Sequence, residues 1–280
     1  MKQLLVLAAL LLTILAIACQ ESIEGTWEEH HNKGIELFRE AQWGGAVDEF
    51  SKAIKLDPEQ PTSYTLRGQT YLQLNGLERA LEDFDKAIEL DPDDPAPYIN
   101  RGHLFRLQEE FDQALADYER AIELDPGLAA PHSGSGGVYQ DLGEFEQAVA
   151  SFDKAIELAP NNPGLYSSRA GVYRNLEDFS QALADYDMAI ELDPDRAPFY
   201  RARGLVQQDL GDMEQALADF DKAIELNGVF VQAYADRGSL HAELGNVAQA
   251  IADLEQAVSF ARDTEFIDEL EERIEALKNR

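Results

Sequence analysis

The chain has 280 residues, with 54 acidic against 23 basic side chains and a formal net charge of −31. That charge excludes nucleic acid and anionic lipid surfaces as electrostatic partners. A single cysteine excludes an intramolecular disulfide, and 45% hydrophobic with 9% aromatic residues suits a protein held together by packing.

Met1-Lys2 is followed by an apolar run from Leu4 to Ala18, broken only by Thr13. As a helix it would span about 22 Å, short of the ~30 Å hydrocarbon core, which is the size of a signal-peptide core. It ends in Leu15-Ala16-Ile17-Ala18-Cys19, which resembles a bacterial lipobox. The resemblance implies a signal peptide over 1–18 and a lipidated Cys19 followed by a short tether, together 19–26. It also implies export and anchoring to the bacterial cell envelope. The location would be the outer membrane, on its periplasmic side, in a host with two membranes, and the extracellular face otherwise. A chance cysteine in an ordinary signal peptide, or an uncleaved anchor, is the alternative reading.

From Trp27 a 34-residue period takes over. Asp57-Pro58, Asp91-Pro92, Asp125-Pro126, Ala159-Pro160, Asp193-Pro194 and Asn227-Gly228 close successive copies, giving units 27–60, 61–94, 95–128, 129–162, 163–196, 197–230 and 231–264. The fourth position is His30, Tyr64, Tyr98, His132, Tyr166, Tyr200 and Tyr234; the eighth is glycine except at Ala170; the twentieth is alanine throughout. In the second unit Ala80, Leu81, Phe84, Ala87, Ile88 and Leu90 make one apolar helical face, and Tyr64, Gly68, Tyr71 and Leu74 make another. Asp-Pro ends the second helix, and Pro61, Pro95 and Pro163 open the next unit, where a missing N–H costs nothing. One helix pair cannot bury its own apolar face, so stability must come from stacking.

These residues resemble the tetratricopeptide repeat. The resemblance implies an all-α, right-handed superhelical solenoid of seven helix pairs over 27–264, with first helices lining a concave groove that binds peptides or partner domains. Residues 265–280 are expected to form a capping helix, N-capped by Asp263-Thr264 and carrying the stripe Phe266, Ile267, Leu270, Ile274 and Leu277.

Comparing the copies pairs the seventh position with the twenty-third. Arginine (67, 101, 169, 203, 237) meets aspartate (83, 117, 185, 219, 253), Lys33 meets Glu49, and Ser135 meets Ser151. The match predicts an ion pair within a unit or across a unit boundary. The groove positions implied by the resemblance do not repeat. They supply the candidate binding residues Ile35, Phe38, Gln69, Leu72, His103, Arg106, Gln140, Arg174, Arg201 and Gln208. Arg106, Arg174 and Arg201 are expected to suit an extended peptide with an acidic residue or a free C-terminus. Ser133-Gly134-Ser135-Gly136-Gly137 in the fourth unit reads either as a hinge or close-approach site or as a degraded copy. Val229-Phe230-Val231 reads as packing under the cap or as an apolar docking edge.

Catalysis finds no constellation. His30 and His132 stand in for the fourth-position ring and His241 for the eleventh, and Glu28-Glu29-His30-His31 lacks the spacing that puts two histidines on one helical face. No metal or cofactor is expected. The reading is a non-catalytic protein–protein scaffold or adaptor of the cell envelope, with a protein partner in the groove and the membrane reached through Cys19. A carrier or sensor of a small ligand or glycan near the fourth repeat is the alternative. The sequence leaves the oligomeric state open.

Overall fold

The computed structural model describes residues 23–279. The expected signal peptide, Cys19 and the first tether residues lie outside them. The described residues form fifteen helices and no strand, fourteen of them paired on the 34-residue period. The chain divides into two compact units, one ending at Leu124 and the other beginning at Asp125. The first holds α1 (Trp27–Arg39), α2 (Trp43–Leu56), α3 (Pro61–Gln73), α4 (Leu77–Leu90), α5 (Pro95–Leu107) and α6 (Phe111–Leu124). The second holds α7 (Ala129–Asp141), α8 (Phe145–Leu158), α9 (Pro163–Asn175), α10 (Phe179–Leu192), α11 (Ala197–Leu210), α12 (Met213–Leu226), α13 (Val231–Glu243), α14 (Val247–Phe260) and α15 (Thr264–Lys278). Within each unit a helix packs on its repeat mate, and each second helix packs on the first helix of the next repeat. The division falls at the end of α6, within the last residues of the third repeat, which an unbroken period does not mark.

The Asp-Pro ladder does more than stop helices. Asp57 and Asp91 take extended backbone, as a following proline demands. Asp57, Asp91 and Asp125 then accept the N–H two residues onward at 3.2, 3.2 and 2.9 Å, closing the turn with a side chain. Tyrosine at the fourth position reaches back to the same turn. The hydroxyls of Tyr98, Tyr166 and Tyr200 donate to the carbonyls of Pro92, Pro160 and Pro194 at 3.3, 3.0 and 3.0 Å.

The turn inside each repeat has its own requirement. Its fifteenth position is left-handed in all seven copies, at Ala41, Asn75, Glu109, Gly143, Glu177, Gly211 and Gly245. Glycine and asparagine suit that conformation, whereas Ala41, Glu109 and Glu177 carry a Cβ penalty. Changing those three to glycine together is expected to stabilise the protein by about 1–2 kcal/mol, because the relief exceeds the extra chain entropy of glycine. A raised urea midpoint would show it.

The core is small against large. The twentieth- and twenty-seventh-position alanines are fully buried in every repeat. Glycine at the eighth position makes room for the ring opposite: an added Cβ would lie 2.5 Å from Phe50 at Gly34, 2.6 Å from Phe84 at Gly68 and 2.8 Å from Phe220 at Gly204. The cap behaves as expected, with Asp263 accepting from the Phe266 N–H at 2.8 Å and Leu270, Ile274 and Leu277 buried. Val231 packs on the cluster that includes the cap residues, Phe230 packs separately with Ala197, Ala223 and Ala233, and Val229 stays exposed.

The paired charges form the bond within a repeat, and four of the arginines add a second bond across the repeat boundary to an aspartate at a different position, the twenty-fifth. Arg101 grips Asp117 of its own repeat through Nε and Nη2, each at 2.8 Å, and reaches Asp85 of the preceding repeat through Nη1 at 2.5 Å. Arg169, Arg203 and Arg237 do the same with Asp185 and Asp153, Asp219 and Asp187, and Asp253 and Asp221. Arg67 holds Asp83 but meets the Ser51 hydroxyl on the far side. Each guanidinium also lies over one or two aromatic rings, Arg101 over Tyr98 and Phe105, Arg169 over Tyr166 and Tyr173, and Arg203 over Tyr200 alone. The bonds to Asp117, followed by those to Asp85, hold the Arg101 guanidinium above its ordinary value against the opposing effect of burial. Gln207 replaces the second ring beside Arg203, and its Oε1 is a buried atom with no partner among the described residues.

The expected Lys33–Glu49 pair does not form. Lys33 is exposed and bonds Glu36 at 2.8 Å within its own helix, while Glu49 is taken by His30 at 2.6 Å and Lys52 at 2.6 Å. An ammonium three residues from a carboxylate on one helix pairs locally. Ser135 donates to the Pro131 carbonyl instead.

Candidate functional site

The odd-numbered helices of the seven pairs carry all ten candidate binding residues, and nine of the ten are half-buried, His103 being exposed. They sit beside fully buried core positions, so their backbone is held by packing while their ends remain accessible. One of them in the first unit and three in the second join the first helices of adjacent repeats. Gln69 Nε2 donates to Asn100 Oδ1 at 3.0 Å in the first unit. In the second, Arg174 Nε bonds Asp209 at 2.5 Å, Arg201 Nε bonds Asp236 at 2.5 Å, and Gln208 Nε2 donates to Glu243 at 3.2 Å. Each of these three spans 35 residues, one repeat plus one position.

These contacts correct the expectation of free positive charge at Arg174 and Arg201. Each is neutralised by an aspartate one repeat onward, a partner hidden from a reading that compares groove positions column by column. Burial pushes the Asp236 carboxyl up, and the charge and hydrogen bond of Arg201 pull it back. Arg106 lies close enough to His103 and Tyr118 for its charge to bear on both. Desolvation, then that charge, holds His103 below its ordinary value. Burial pushes the Tyr118 phenol up to about 12.

At the start of the array the apolar candidates meet an aromatic cluster. Phe38 stands edge-on to Trp43 at 5.1 Å, and Trp27 stacks on His31 at 4.7 Å. Trp27 Nε1 donates to the buried Ser63 hydroxyl at 3.1 Å, which leaves the Ser63 proton for His31 Nδ1 at 2.9 Å. Burial lowers the His31 pKa, and protonation would also remove the acceptor that Ser63 uses. A lowered folded value means that this contribution is present above about pH 6.5 and is lost as pH falls through the folded pKa. Between neutral and mildly acidic pH the wild type is therefore expected to lose more thermal stability than His31→Phe, as read by paired melts. Equal losses would remove His31 as the cause.

The fourth-repeat glycines lie within one continuous helix, Ala129–Asp141. Gly136 is a packing glycine there, since an added Cβ would be 3.0 Å from Phe152 Cε2. Among the described residues no cluster of histidine, cysteine, aspartate or glutamate has metal-ligand geometry, and no helix is long and apolar enough to cross a membrane.

Sequence profiles described as tetratricopeptide repeat match residues 95–128, 169–235 and 231–264, and one described as TPR repeat matches 34–75, 68–108 and 136–176. The chain belongs to the tetratricopeptide-repeat family. Among solved TPR structures, yeast Tom70 is 24% identical with a TM-score of 0.68 over 90% of this chain and 53% of its own. The chain thus spans about half the length of Tom70. A tetratricopeptide repeat protein from Parabacteroides merdae is 20% identical, with a TM-score of 0.68 over 90% of this chain and 98% of its own. YrrB, a TPR protein described as having an unusual peptide-binding site, is 28% identical, with a TM-score of 0.51 over 69% of this chain and 99% of its own. No curated protein sequence matches this one.

Proposed function

We propose that this chain is a non-catalytic interaction scaffold of the cell envelope, gripping an extended segment or exposed domain of a protein partner on its first helices. The observation that carries this reading is the division of labour along each repeat. Alanines, rings and Arg–Asp pairs recur in register and are buried or bonded. The accessible residues beside them, Ile35, Gln69, His103, Arg174 and Gln208 among them, are not locked to the repeat, although arginine and glutamine each occur twice at the twelfth position. A surface individually varied on a repeated frame suits a particular ligand. Membership of the TPR family supports a protein partner, and the peptide-binding site named for YrrB supports a peptide-like one.

Crosslinking pull-down from solubilised envelopes tests the reading, with the triple variant Arg106→Ala, Arg174→Ala, Arg201→Ala beside the wild type. Loss of an enriched partner is expected, and an unchanged profile would place the binding surface elsewhere. Anchoring through Cys19 belongs to the same proposal. Cys19→Ser is expected to abolish lipid modification and processing, read as an unshifted precursor mass. Normal processing would remove the lipoprotein reading.

A further inference from the structure

Gly171, in the middle of α9, stands at a groove position without a packing reason. The glycine of the eighth position is crowded by a ring in most repeats, but Gly171 is the ninth residue of its repeat. Around Gly171 an added Cβ would meet Gln140 Nε2 at 3.8 Å and Tyr186 Oη at 3.9 Å, both ordinary contact distances. Alanine would fit and would be the better helix former. What a side chain would do is cover the Tyr186 hydroxyl.

Tyr186 is 5% exposed, with its ring among Ala170, Ala182 and Val206. Phenylalanine fills the equivalent place at 50, 84, 152 and 220, so the hydroxyl is an addition that the packing does not need. It bonds no group among the described residues. Arg174 and Arg201 bear on it with their charges, although burial still holds the phenol above its ordinary value. Both arginines are committed through Nε to Asp209 and Asp236, which orients the guanidinium and leaves its terminal amino groups without a protein partner among the described residues. Tyrosine replaces phenylalanine at this position in only the third and fifth repeats, and those two are also the repeats with arginine at the twelfth position, Arg106 and Arg174.

The result is a set of hydrogen-bond donors without net charge: two guanidinium ends, each neutralised from behind, and one phenol beside a bare stretch of helix. Donors call for acceptors. A carboxylate gains little from paired arginines in a chain of net charge −31. A neutral carbonyl avoids that repulsion, and glycine allows close approach of another backbone. We propose that Tyr186, Arg174 and Arg201 form a seat for main-chain carbonyl oxygens of an extended peptide, with Gly171 leaving the phenol open to it. The proposal rests on the peptide-binding reading above and changes its chemistry, from an acidic group to the peptide backbone.

Selection of random displayed dodecapeptides on the full-length protein in detergent, followed by fluorescence anisotropy of a labelled winner, tests it. Tyr186→Phe is expected to weaken binding about fivefold, the loss of one hydrogen bond. Gly171→Leu should weaken it roughly tenfold or more while melting no lower than the wild type. Replacing an amide bond of the peptide by an ester at the seated position, which makes a poorer acceptor, should also weaken binding. Converting the acidic side chains and terminal carboxylate of the peptide to amides should change it by less than about twofold. Large loss on amidation would assign the seat to a carboxylate and overturn the proposal. So would binding indifferent to both protein variants, which leaves a peptide-binding scaffold with its seat elsewhere, and so would a lowered melt of Gly171→Leu. If no peptide is selected above background, the peptide-binding reading itself falls and the seat with it.

Discussion

Asp117→Ala is expected to cost about 3 kcal/mol, because it leaves the half-buried Arg101 guanidinium with its principal partner removed. Asp117 is 6% exposed and receives two bonds from Arg101, and Asp85, the remaining carboxylate, is half exposed to solvent. Arg101→Ala should cost a similar amount, since it strands Asp117 and strips a cation from the faces of Tyr98 and Phe105. The double variant should then be only slightly worse than either single one, with a coupling of about 2 kcal/mol. Urea melts of the four proteins measure this, and additive losses would mean that the two side chains act independently. The same bonds recur at Arg169, Arg203 and Arg237, so the stabilisation is distributed along the chain.

Gly68→Leu is the second large effect, expected to destabilise by about 3 kcal/mol through overpacking. Its Cβ alone would be placed 2.6 Å from Phe84 Cε1, and Phe84 is fully buried with no room to retreat. Lowered thermal stability without loss of helix in the folded baseline is the expected signature, and a neutral result would mean that the repeat interior is looser than its geometry. The change gains force from its contrast with Gly171→Leu, the same substitution one position further along the equivalent helix of another repeat. One glycine is required by the core and the other is not.

Much of this arrangement is legible in the sequence because repeats supply their own comparison. The helix starts at Trp27, Pro61, Pro95, Ala129, Pro163, Ala197 and Val231 fall on the boundaries that the Asp-Pro spacing sets. The Arg–Asp pairs follow from residues that change together, and Ser135 with Ser151 is the exception that shows the rule. What stays hidden crosses the columns. Arg174 with Asp209 and Arg201 with Asp236 link one position to the next position of the following repeat, so no aligned column contains both members. Lys33 fails to reach Glu49 because Glu36 is nearer on its own helix. The left-handed turn residue is invisible at Ala41, Glu109 and Glu177, where ordinary side chains accept a conformation that glycine fills elsewhere. Nor does composition separate Gly68 from Gly171, since the difference lies in what each would touch.

The claim that repeat-locked residues hold the chain while the variable faces of first helices bind is tested most directly by photo-crosslinking. A selected peptide carrying a benzophenone is bound to the wild-type protein, irradiated, and its attachment sites are read by mass spectrometry. Crosslinks on the first helices, at or beside Gln140, Gly171, Arg174, Arg201 and Gln208, are the expected result. Crosslinks confined to the second helices or to the cap at Thr264–Lys278 would contradict it.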